Sequence, residues 1–64
     1  MKVNRDFEIN SVKFHLNEGK KFVYQSKYEV VYYCKDLDCW IEIGSADSKK
    51  EAIQVAKEFL RYRY

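Results

Sequence analysis

Sixty-four residues, 47% apolar and 17% aromatic, with no proline and two glycines, describe one small folding unit rather than a linker or a disordered chain. Twelve Lys/Arg against ten Asp/Glu leave a net charge of +2, too little for a dedicated nonspecific nucleic-acid binder, whose affinity comes from neutralising phosphates. No apolar run is long enough to span a bilayer, and the opening MKVNRDFEIN lacks the apolar core and cleavage site of a secretory signal. A cytoplasmic protein without a membrane partner is therefore expected, in the host-cell interior if it is viral.

Along the chain, Phe7 and Ile9 occupy odd positions, whereas Val12, Phe14 and Leu16 alternate on even ones with Lys13 and His15 between them. The parity change places either a bulge or bend near Asn10 and Ser11, or an N-terminal arm over residues 1–10 that lies outside the strand. NEG at 17–19 reads as a three-residue hairpin loop, with Gly19 taking the left-handed position. KFVYQSKYEVVYYC then reads as one long strand. Its even set (Phe22, Tyr24, Ser26, Tyr28, Val30, Tyr32, Cys34) is the more apolar and is expected to face the core. KDLD at 35–38 supplies a second turn, after which CWIEIG returns. With Cys34 opposite Cys39, Tyr32 pairs with Ile41 and Val30 with Ile43 on the buried face, and Tyr33 meets Trp40 on the other.

A helix is predicted over 48–62. Ser48 and Glu51 form a capping box, and Asp47 adds negative charge at the positive end of the dipole. Ala52, Ile53, Val55, Ala56, Phe59 and Leu60 make one apolar arc. The expected fold is α+β: a three-stranded antiparallel β-meander over 11–45, packed on one face by the C-terminal helix, within a single domain spanning 1–64. The predicted core contains Phe14, Phe22, Tyr24, Val30, Tyr32, Ile41, Ile43, Ala56, Phe59 and Leu60.

A sheet covered on one side leaves the other side wet. Lys13, His15, Lys21, Val23, Gln25, Lys27, Glu29, Val31, Tyr33, Trp40 and Glu42 are the residues expected there. Interleaved cations and aromatic rings suit nucleic acid, because a β-ribbon enters a major groove and rings stack on bases. An exposed Trp and Tyr pair equally suits a protein partner. Lys49 and Lys50 flank a helix N-terminus that can hold phosphate.

The stretch WIEIGSADSKKEA, from Trp40 to Ala52, resembles the strand-to-helix corner of AP2-type DNA-binding domains, with Trp40, Gly44, Asp47, Ser48, Glu51 and Ala52 in comparable positions. The arm-binding domains of tyrosine recombinases share this strand–strand–strand–helix order. The corner is also similar to the Ser-Lys-Lys-Glu-Ala segment of double-stranded RNA-binding domains. The resemblance implies a duplex-DNA module without a cofactor, reading DNA through its exposed sheet. The several arginines that AP2-type domains carry on that face have no counterpart here.

The leading expectation is thus a non-enzymatic module in which Lys13, Lys21 and Lys27 hold phosphates while Tyr33 and Trp40 touch sugar or bases. The alternative is a protein-binding or inhibitory factor, for example a small phage- or virus-encoded one, using the Trp40 and Tyr33 patch or an edge strand. A monomer or weak homodimer is expected in either case. Cys34 and Cys39 read as packed thiols, with a disulfide as the other possibility. His15 has no nucleophile or carboxylate partner placed by spacing, and a zinc site would need four ligands.

Overall fold

In the computed structural model, which describes residues 4–18 and 27–64, the parity change between Ile9 and Val12 is a two-residue turn. Asn10 (φ 51°) and Ser11 (φ 65°) both take the left-handed conformation that the tightest hairpins require. Ile9 pairs with Val12 and Phe7 with Phe14, so an odd and an even series share one face. Of the two expectations, the chain turns at Asn10 and Ser11, and the segment before it is no arm but a strand, β1 (Asp6–Ile9), followed by β2 (Val12–Glu18). Serine in this region is strained where glycine is not. Ser11→Gly should raise stability by about 0.5 kcal/mol, read as a higher urea midpoint at unchanged slope.

The remaining elements are β3 (Tyr28–Cys34), β4 (Cys39–Ala46) and α1 (Lys49–Tyr62). The four strands form one antiparallel meander, β1-β2-β3-β4, with the helix across one face. The α+β meander stands as expected, but its strand count is four and not three. The hairpin over 17–19 is also corrected. Asn17 and Glu18 belong to β2 and pair with Glu29 and Tyr28, so they are strand and not loop residues, while Gly19 lies outside the described residues. Burial selects this register: it sets Phe14 against Tyr32 and Leu16 against Val30 on the inner face. Phe22, Tyr24 and Gln25, expected in the first half of the long strand, lie outside the described residues.

Between β3 and β4 the expected pairs of Cys34 with Cys39, Tyr33 with Trp40 and Tyr32 with Ile41 are present. The next rung departs from expectation. Val31 opposes Glu42 while Val30 opposes Gly44, which leaves Ile43 as an extra residue in a bulge. The bulge turns Ile43, Gly44 and Ala46 all toward the helix. Ile43 and Ala46 are buried, and a Cβ on Gly44 would stand 2.8 Å from Val55 Cγ1. The Arg63 guanidinium donates to the Ile43 carbonyl at 3.3 Å, tying the end of the helix to the bulge.

Helix α1 begins as its capping box dictates. The Ser48 hydroxyl accepts from the Glu51 amide at 3.2 Å, and the Glu51 carboxylate accepts from the Asp47 amide at 3.0 Å. Ala52, Ala56 and Phe59 are its buried residues, and the two alanines let the helix sit close to the sheet. The core joins them to Val12, Phe14, Leu16, Val30, Ile43 and Ala46, with Phe7, Ile9, Tyr28, Tyr32, Val55 and Leu60 at its margin. Phe7 stacks on Phe14 at 5.2 Å, and Tyr32 meets Phe59 at 4.5 Å. Ile41, expected in the core, is half-buried beside it.

Candidate binding face on the open sheet

Alternation places Asp6 and Glu8 of β1, Lys13 and His15 of β2, Glu29, Val31 and Tyr33 of β3, and Trp40 and Glu42 of β4 on the face away from the helix. Trp40 organises this face. Its ring centroid lies 5.5 Å from Tyr33, its cross-strand neighbour, and 6.0 Å from His15, two strands away. The indole therefore reaches across β3 and roofs Val31, which is only 5% exposed although it points away from the main core. Val31 was expected to be wet; the tryptophan covers it. Trp40 itself remains 48% exposed, presenting its outer surface to solvent.

The polar groups around the indole are fixed by their neighbours. His15 Nδ1 lies 2.6 Å from Asp6 Oδ1, the residue directly opposite it on β1. The carboxylate partner that spacing did not reveal thus comes from the segment read as an arm. The Tyr33 hydroxyl donates to the Asp38 carboxylate, which holds the phenol above its ordinary pKa, with burial adding to the same shift. Lys13 is exposed and faces Glu8 across the β1–β2 ladder. An open groove bordered by Asp6, Glu8, Lys13 and Trp40 runs between β1 and the indole edge.

The other expected site residues are dispersed. Lys27 is exposed beyond the start of β3, and its amide donates to Asp47 Oδ1 at 3.2 Å. That is the end of β3 opposite to Tyr33, about 17 Å away along the strand. Lys49 and Lys50 sit in the first turn of α1, the element that covers the other face. They are not brought together with Trp40. Lys21 and Val23 lie outside the described residues.

Among the described residues this face carries more carboxylates than cations, while Lys21, one of the cations expected there, lies outside them. Asp6, Glu8, Glu29 and Glu42 share this face with Trp40 and Val31, against Lys13 and the carboxylate-bound His15 among the described residues. Glu29 and Glu42 were legible as outward residues. Asp6 and Glu8 were not, because their strand was not recognised. Among the described residues, no three His, Cys, Asp or Glu side chains converge as metal ligands, and no helix is long and apolar enough to cross a membrane.

Comparison with protein-family models, with curated proteins and with solved structures finds no match for this chain.

Proposed function

We propose that this chain is a small non-enzymatic binding module that docks a protein partner of cationic character on its open sheet face. One observation carries the reading: Trp40, half exposed and braced by Tyr33 and His15, borders a groove lined by Asp6 and Glu8 on a face that also carries Glu29 and Glu42. An anchored aromatic ring is the usual centre of a binding hot spot, since little rotamer freedom is lost when it is covered. Arginine adds a second complement, because its guanidinium stacks on indole while bonding carboxylates. The same carboxylates oppose phosphate on this face, so the charge favours protein over duplex DNA here.

Affinity capture with wild-type and Trp40→Ala baits tests the reading. A partner held through the indole should be lost by at least about 30-fold, the size of a hot-spot truncation, while far-UV circular dichroism shows the domain still folded. Equal capture by both baits overturns the proposal.

Duplex DNA remains the second reading, supported by residues away from the indole: exposed Lys27, whose amide donates to Asp47, and half-buried Lys49 and exposed Lys50 in the helical turn that follows Asp47. It predicts binding that survives Trp40→Ala and weakens with salt by about 0.9 log units per log unit of salt for each phosphate neutralised. A gel-shift titration at two ionic strengths separates the readings.

A further inference from the structure

The last rung of the β3–β4 ladder sets Cys34 directly opposite Cys39, closed by the turn at 35–38, in which Asp38 takes the left-handed conformation (φ 51°). Both thiols are free; Cys39 is exposed and Cys34 half-buried. Directly opposed residues of an antiparallel pair have Cα atoms about 4.5 to 5.5 Å apart, within the roughly 4.4 to 6.8 Å that a disulfide spans. Their Cβ atoms stand about 4.5 to 5.5 Å apart, whereas a disulfide draws them to about 3.8 Å. Closure therefore needs a movement of about an ångström, more readily made at the turn end of an edge hairpin, where pairing stops, than in mid-sheet. A bond formed with such residual strain is one that reductants can reopen.

We propose that Cys34 and Cys39 form a reversible dithiol–disulfide site that clamps the hairpin carrying Tyr33 and Trp40. The oxidant class is a low-molecular-weight disulfide such as oxidised glutathione. The exposed Cys39 thiolate attacks one sulfur, forming a mixed disulfide and releasing one glutathione thiolate. Cys34, deprotonated in its turn, attacks the Cys39 sulfur and expels the second. The protein loses two hydrogens and two electrons, and the oxidant becomes two glutathione molecules. The clamp falls one rung from the Tyr33 and Trp40 pair, so closure holds the anchor of the open face in its observed pairing.

The full chain is incubated with glutathione redox buffers at micromolar concentration, and the products are read by intact mass and by gel under nonreducing conditions. A monomer lighter by two hydrogens is expected, melting about 10 °C above the reduced form, as loop-closure entropy predicts for so short a ring. Cys34→Ser and Cys39→Ser should each stop at the mixed disulfide. The closing equilibrium should be at least about tenfold more favourable in the folded chain than in urea, because the sheet presents the thiols to one another. Equal closure in both, doubly glutathionylated monomer, or intermolecular dimer as the main product would each overturn the proposal.

Discussion

Phe14→Ala is expected to unfold the domain at 25 °C. Phe14 is 1% exposed at the centre of β2, stacked on Phe7 from β1 and paired with Tyr32 of β3, which itself packs on Phe59 of the helix. Truncation removes the contact through which β1, β2, β3 and α1 share one core. Phenylalanine to alanine in such a site costs about 3 to 5 kcal/mol. A chain of this length holds about 3 to 10 kcal/mol in total, and domains this small rarely exceed the lower part of that range. Far-UV circular dichroism and urea titration read the result. A cooperative transition within about 1 kcal/mol of the parent would contradict the placement of Phe14. Phe14→Leu keeps most of the volume and should retain a folded state.

Gly44→Ala should destabilise the domain by about 1 to 3 kcal/mol, the usual range for overpacking. The cause is contact rather than backbone strain. The added methyl would lie 2.8 Å from Val55 Cγ1, and valine in a helix has one strongly preferred rotamer and cannot swing aside. The helix would have to lift off β4, disturbing the neighbouring buried residues Ile43, Ala52 and Ala56. Val55→Ala removes the obstructing carbon. In the Gly44→Ala background it should therefore restore part of the loss, although alone it destabilises by removing a partly buried side chain. A double-mutant cycle measures this as a favourable coupling of about 1 kcal/mol. Additive effects would mean that the helix does not approach the bulge as described.

Much of this arrangement is legible in single residues. Ser48, Glu51 and the apolar arc from Ala52 to Leu60 specify the helix through local rules, namely a cap and a period of 3.6, and it forms where they place it. The turn at 35–38 and the alternation around it specify the β3–β4 hairpin, with Tyr33 beside Trp40 on the open face. The missed strand has a physical reason. Asn10-Ser11 makes the tightest hairpin turn without the glycine that usually marks one, so the parity change read equally well as a bulge, a bend or an arm. Four apolar-polar residues are also too few to establish a period by themselves.

Local chemistry in the sequence by itself therefore determined the helix, its cap, the final hairpin and the side of the sheet on which Trp40 lies. Tertiary structure alone decided that Asp6 and Glu8 join the Trp40 face, that Val31 is roofed, and that Gly44 touches the helix. Each depends on which strand lies beside which, and in what register. Register is chosen by the burial of partners distant in the chain, Phe14 with Tyr32 and Leu16 with Val30, and a one-residue shift such as the bulge at Ile43 reverses what faces water. The carboxylates that share the face of the indole are a product of that pairing, since they come from three different strands.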